Sequence, residues 1–135
     1  MQIRLSRSVS FRAHHRLADP NATDADNRRR FGYTVEPHPH QYRCEVSVSR
    51  SLGDTDVAVM DLPLLDRILA EHVTGPFAGR HLHRDIPAFT TIPPTCEAIA
   101  REVFRRVAAC LPDGVRLDRV LIAEDDSLHA ECLAE

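Results

Sequence analysis

The sequence predicts an α+β fold with elements in the order ββααββ. Three observations lead there. Two long N-terminal stretches alternate apolar and polar residues. The middle of the chain carries two capped segments whose apolar residues recur three and four apart, and two apolar runs close the sequence. An antiparallel sheet with both helices on one face satisfies that order. At 135 residues, 43% of them hydrophobic, the chain is read as one domain spanning 1–135.

The first strand is predicted over Ile3 to His15. Its odd positions read Ile3, Leu5, Arg7, Val9, Phe11, Ala13 and His15. Arg7 interrupts this apolar face, and a bulge or local change of face is expected there. Residues 18–37 are polar and rich in turn formers, so one long loop is predicted, of the kind that is usually functional or mobile. From His38 the even positions His38, His40, Tyr42, Cys44, Val46 and Val48 form an apolar face, and the odd positions Gln41 to Ser49 a polar one. A turn over Leu52–Thr55 follows.

Asp61 is a helix cap with Pro63 in the first turn, and Leu62, Leu65, Ile68 and Leu69 make the stripe that is buried. Residues 73–94 hold four prolines and are predicted to be irregular. Thr95 caps a second helix, Glu97 suits its positive end, and Ile99, Ala100, Val103, Val107 and Leu111 face inward. Leu117–Glu124 and Leu128–Leu133 read as the last two strands.

A formal charge of −3 and a pI near 6.2 leave Arg28–Arg30 as the one basic block, which argues against a nucleic-acid footprint. The arginines read as a solvated loop. No secretion signal or membrane span is predicted, because the opening MQIRLSRSVSFRAHH has no apolar core of the required length. Four cysteines without a CxxC pair are expected as reduced thiols in a cytoplasmic protein.

Histidine is the unusual residue, with eight in this small chain. In EPHPHQY, His38 and His40 lie two apart on a strand, so their imidazoles point the same way with Cα atoms about 6 to 7 Å apart. That spacing suits two ligands of one metal. His15, on the neighbouring strand, is placed to be a third, leaving a fourth position open. On spacing alone the three are equally readable as solvated or hydrogen-bonded histidines. Glu124, at the end of VLIAEDD, is either an end-of-strand charge or an anchor at the mouth of a pocket.

FRAHH (11–15), NRRRFG (27–32), HPHQY (38–42), VMDLPLLD (59–66), RHLHRDIPAF (80–89), PPTCEAIA (93–100) and LIAEDD (121–126) together resemble the 6-pyruvoyl-tetrahydropterin synthase / 6-carboxy-tetrahydropterin synthase family. The resemblance implies a tunnelling fold (T-fold). In it, ββααββ subunits close a barrel by oligomerisation, as a homo-hexamer made of a dimer of trimers with sites between subunits. It implies Zn2+ held by His15, His38 and His40. It also implies a small heterocyclic, pterin-like substrate whose ring is anchored by Glu124 and flanked by Thr95. No ligand role is carried to His14.

Three proton-handling positions depart from the family. Thr34 stands where the family's cysteine belongs. An ungapped match of RHL and DIPAF places Ala78 and Gly79 at its Asp-His pair, whereas a two-residue slip would bring His81 to the histidine's place. None of Thr34, Ala78 and Gly79 replaces a thiol or an imidazole in moving a proton. The expectation is therefore a zinc enzyme with altered lyase- or cyclase-type chemistry: enolisation, elimination, retro-aldol cleavage or ring closure beside a polarised carbonyl. Glu36, His81 and His83 are the candidate bases, with Cys96 a weaker one and Cys44 assigned to the core. The competing expectations are a non-catalytic zinc-containing binder of a pterin-like ligand and an ordinary synthase with rearranged bases.

Overall fold

A computed structural model describes residues 1–135. Its elements run β1 (Gln2–His15), α1 (Asp24–Phe31), β2 (His38–Ser51), α2 (Leu62–Leu69), α3 (Gly75–Phe77), α4 (Leu82–Asp85), α5 (Cys96–Ala108), β3 (Arg116–Ala123) and β4 (His129–Leu133). The four strands form one antiparallel sheet in the order β1-β2-β3-β4. The α+β class and the ββααββ frame hold, with α2 and α5 as the two principal helices.

The β1–β2 ladder is continuous from Gln2 opposite Ser51 to His15 opposite His38. No bulge occurs at Arg7. The residue stays on the helix-facing side and spends its charge on α2, where its guanidinium donates to both oxygens of Asp66 at 2.8 and 3.0 Å. The register irregularity lies instead between β2 and β3, at Ser47/Val48. Phe11 and Tyr42 stack across the first ladder with centroids 5.3 Å apart, and Phe77 closes on Phe11 at 5.7 Å. Val46, Val48, Leu65, Leu69, Ile99, Val103 and Ile122 complete a continuous core between sheet and helices.

Asp61 caps α2 by accepting from the Leu64 N–H, and Leu65, Ile68 and Leu69 are buried; Leu62, expected inside, is exposed at the first turn. The helix continues through one wide turn, Ala70–Thr74, in which the Gly75 N–H reaches the Ala70 carbonyl. A Cβ at Gly75 would lie 2.6 Å from that oxygen, so the wide turn requires glycine. Residues 73–94, expected irregular, thus hold the end of this helix, α3, α4 and a single 3₁₀ turn at Pro87–Phe89. Thr95 caps α5 through the Ala98 N–H at 3.2 Å.

The predicted loop 18–37 also folds. Thr23 accepts from the Asp26 N–H, and two acidic residues open α1 while three arginines close it, as the helix dipole favours. The buried Asn27 exchanges two hydrogen bonds with the Asp19 backbone, at 2.8 and 3.0 Å. DADNRRRF has no apolar stripe, so periodicity cannot reveal this helix. The arginines are exposed as expected, but on a helix. No helix is long and apolar enough to cross a membrane.

Candidate metal and substrate site

The β1–β2 register builds the site. His15 pairs with His38 and Ala13 with His40, so alternation turns all three imidazoles to the helix-facing side at one end of the sheet. Ring centroids are 4.5 Å apart for His15–His38 and 5.0 Å for His15–His40 and His38–His40. One ligating nitrogen from each lies within 4.8 Å of the others.

Backbone carbonyls orient two of the rings. His15 Nδ1 donates to the Pro94 carbonyl at 2.9 Å, and His38 Nδ1 donates to the Glu36 carbonyl at 2.8 Å. Those bonds commit both Nδ1 protons and leave each Nε2 as a bare lone pair in the neutral ring. The two Nε2 atoms nevertheless face each other at 2.8 Å. Two lone pairs at that distance repel unless a cation lies between them. His15 is 1% exposed, and burial above all, with His38 and His40 adding, lowers its pKa to about 4 despite the Pro94 bond. The ring therefore stays neutral near pH 7, the form a metal needs. Three converging imidazoles, two of them with fixed tautomers, fit a zinc ion that keeps a fourth position open.

Glu124 follows β3 directly. Its Oε2 lies 3.5 Å from His40 Nε2 and 3.7 Å from His15 Nε2. Burial pushes the carboxyl up; His40 and His38 oppose that, while Asp125 and Glu97 reinforce it. Thr95 sits beside Pro94, with its hydroxyl accepting the α5 cap bond. Cys96 is buried next to Glu124, and burial with that carboxylate pushes its thiol up to about 12, which leaves it unsuited as a base at neutral pH. Cys44 is core, with its thiol also raised to about 12 by burial.

The other candidates separate. The Glu36 carboxylate is exposed and paired with Arg28 at 2.8 Å, while its carbonyl holds His38. His81 stacks on His14 at 4.6 Å, and His14 and His15 point to opposite faces of β1. His83 lines a separate cavity together with Arg16 and Pro94. Neither His81 nor His83 hydrogen-bonds to the three clustered histidines.

The altered proton-handling positions have structural duties here. The Thr34 hydroxyl donates to the Phe31 carbonyl at the end of α1. Gly79 adopts φ +74° and donates to Arg12 O at 2.7 Å, a conformation that disfavours an imidazole-bearing residue. Two groups near the site had no signal in the periodicity. The Tyr42 hydroxyl is buried without a partner, its ring against His15 and His40 at 5.8 and 5.6 Å. Arg16 directly follows His15, and its Nε is likewise buried and unpartnered.

The family model for 6-pyruvoyl tetrahydropterin synthase matches residues 4–135. Among individual proteins, human 6-pyruvoyl tetrahydrobiopterin synthase is 31% identical over 128 residues, 93% of this chain and 88% of its own. The solved Caenorhabditis elegans 6-pyruvoyl tetrahydropterin synthase superposes with a TM-score of 0.93 at 26% identity, covering 100% of this chain and 97% of that one. A Plasmodium vivax 6-pyruvoyltetrahydropterin synthase, in a form with a catalytic glutamate replaced by alanine, gives a TM-score of 0.65 at 12% identity, with 98% and 97% covered. That last likeness concerns the fold.

Proposed function

Because the chain belongs to the 6-pyruvoyl tetrahydropterin synthase family, we propose that it is a zinc-dependent enzyme of lyase or cyclase type acting on a pterin-like heterocycle. The observation that carries this reading is the convergence of three imidazoles on one point, with a half-buried carboxylate at their side. His15, His38 and His40 would hold the ion. Zinc bound there supplies Lewis-acid polarisation of a substrate carbonyl or hydroxy-ketone oxygen.

The remaining work falls to the chain's own side chains. Glu124 can accept two parallel hydrogen bonds from a cyclic guanidine-like edge, which fixes the ring's orientation as well as binding it. Its neighbours at the site are the two rings it approaches, His15 and His40, so a ring anchored on it lies beside the reacting centre. Thr95, the α5 cap next to Pro94, is taken to flank the ring. Proton transfer next to the polarised group then needs a base within hydrogen-bond reach. Glu36 is favoured. Its carboxylate is solvent-accessible, stands two residues before His38, and must exchange Arg28 for the substrate's proton. His83 is the second candidate. His81, stacked away from the site, is the weakest of the three.

The same reading takes the protein as a cytoplasmic homo-hexamer of two trimers, with barrel closure through the outer edges of β1 and β4. Those edges are the ends of the strand order. Thr34, Ala78 and Gly79 lack the family's acid–base groups, so the reaction is proposed to differ from the standard synthase step.

The test is turnover. Zinc-loaded protein is incubated with dihydroneopterin triphosphate and related heterocycles, and products are identified by mass spectrometry. Turnover that falls sharply with Glu36→Gln supports the enzymatic assignment. Binding without turnover, insensitive to Glu36→Gln and His83→Gln, replaces it with a non-catalytic ligand carrier. Formation of the ordinary 6-pyruvoyl or 6-carboxy product shows that rearranged bases sustain the family reaction.

A further inference from the structure

Tyr33 has no part in the core. Its side chain is 83% exposed, and it is the one aromatic among the exposed large apolar residues. Its single aromatic neighbour is His38, with ring centroids 6.4 Å apart and planes tilted by 56°. A lone exposed ring is common on protein surfaces. This one stands beside an imidazole whose Nε2 points into the three-histidine cluster.

The segment that carries the ring is braced. Residues Gly32–Val35 form one tight 3₁₀ turn. Gly32 opens it at φ +61°, a conformation suited to glycine. Val35 is buried, the Thr34 carbonyl accepts from the Leu17 N–H at 2.8 Å, and the Glu36 N–H closes the turn on the Tyr33 carbonyl at 3.1 Å. The Glu36 carbonyl, at the end of the same turn, holds His38 Nδ1 at 2.8 Å. One unit thus presents both the imidazole and the phenol. With its backbone fixed, Tyr33 offers a large contact face and has only two side-chain torsions left to order. The surface around it is polar, since Arg28 and Glu36 pair there at 2.8 Å. A flat conjugated ring gains stacking on such a phenol, whereas an aliphatic or sugar-like group gains little.

We propose that Tyr33 is a specificity-determining residue, whose phenol ring is a stacking surface for the flat face of a conjugated heterocycle held by its polar edge at Glu124. Glu124 approaches the cluster at His15 and His40, and Tyr33 approaches it at His38. A ligand touching both therefore lies across the mouth of the three-histidine group. The two contacts select different properties: Glu124 selects hydrogen-bond donors on the rim of the ring, and Tyr33 selects planarity. The description of the ring as pterin-like rests on the function proposed above; the stacking surface requires only a planar conjugated ligand.

The experiment titrates the zinc-loaded full chain with pterin and with lumazine, which keeps the flat bicycle and lacks the 2-amino group. Affinity is read by calorimetry and contact by ligand fluorescence. A phenol stacked on an excited pterin or lumazine quenches it by electron transfer, and a phenylalanine ring does not. The chain has no tryptophan and two tyrosines, and the other, Tyr42, is fully buried. Wild type is expected to bind and quench both ligands. Tyr33→Leu should weaken both by about tenfold, the size of one lost aromatic stack. Tyr33→Phe should bind within about twofold of wild type, with the quenching relieved. Zinc content and urea midpoint are expected to stay unchanged in both variants, because the side chain is exposed. Wild-type affinity in Tyr33→Leu, quenching that survives Tyr33→Phe, or a wild type that binds neither ligand overturns the stacking surface. So does a Tyr33→Phe that loses as much affinity as Tyr33→Leu, since the hydroxyl would then be the group in contact. Loss of zinc in Tyr33→Leu makes the effect structural and counts against it equally. Glu124→Gln separates the two readings. Affinity that depends on Tyr33 and not on Glu124 strikes the pterin-like anchor and leaves the stacking surface standing; the reverse strikes the surface and leaves the anchor.

Discussion

Replacing Tyr42 by phenylalanine is expected to make the protein more stable. The side chain is fully buried, and its hydroxyl has no hydrogen-bond partner. Burial, with Glu124 and Cys96 nearby, pushes the phenol well above its ordinary range, so the group is neutral and still polar. The ring itself is well used: it stacks on Phe11 at 5.3 Å with planes 17° apart, and phenylalanine keeps that contact. The change therefore deletes one desolvated oxygen and little packing. An unsatisfied buried hydroxyl costs about 1–3 kcal/mol, and a small void takes some of that back. The net expectation is a gain of about 1 kcal/mol, or a rise in Tm of about 3–5 °C for a domain of this size. Urea unfolding of metal-free wild type and variant, compared at equal m-value, measures it without contribution from bound metal. A variant less stable than wild type by about 1 kcal/mol or more would refute the reasoning, since the hydroxyl would then have been making a bond worth keeping. Orphaned polar groups of this kind collect where a ligand is received, at a cost in stability. The same variant is accordingly expected to retain zinc and bind its heterocycle more weakly.

His40→Ala is expected to release most of the zinc and abolish activity or ligand capture, read by metal analysis after purification without chelator; full zinc content in that variant would remove the three-histidine assignment. Glu124→Gln should weaken heterocycle binding while zinc stays in place, measured by paired calorimetry and metal analysis, and unchanged affinity removes the anchor. Asp118 gives a pH prediction. Burial raises its carboxyl pKa, but the Ser49 hydroxyl and the Arg4 and Arg116 guanidiniums outweigh that and hold it below the ordinary carboxylate value. A depressed folded pKa contributes stability that is complete above the unfolded value of about 3.9 and is lost as pH falls through the folded one. Wild type should therefore lose stability over that acid limb, and Asp118→Asn should show a shallower one in urea midpoints; parallel limbs would count against the linkage.

β1 and β2 were legible from alternation and β3 and β4 from apolar runs, and His15, His38 and His40 fell on the helix-facing side by parity alone. Parity could bring three imidazoles to one side; it could not show that Pro94 and Glu36 carbonyls hold two of them. Those supports come from backbone atoms of residues far apart in sequence, or from a loop, and carry no side-chain signature. Arg7 was misread for a related reason. It sits at an apolar position because Asp66 waits across from it on α2, a pairing fifty-nine residues away. α1 stayed hidden because its helix is held by a cap, end charges and a buried asparagine, none of which produces hydrophobic periodicity. Arg16 and the Tyr42 hydroxyl are visible only once burial is known, since their interest lies in bonds they do not make.

The segment 79–81 crosses the outer border of β1 at its C-terminal end, where Gly79 donates to Arg12 O and His14 donates to Arg80 O. That short brace is a stopper as much as a strut. An incoming strand can add to the border only from Gln2 to about Ser10, below the brace, because the ladder groups above it are already taken. A strand that joined β1 at this border would thereby lie along its first half, clear of the three histidines, so the assembly and the metal site proposed above would draw on different lengths of the same strand.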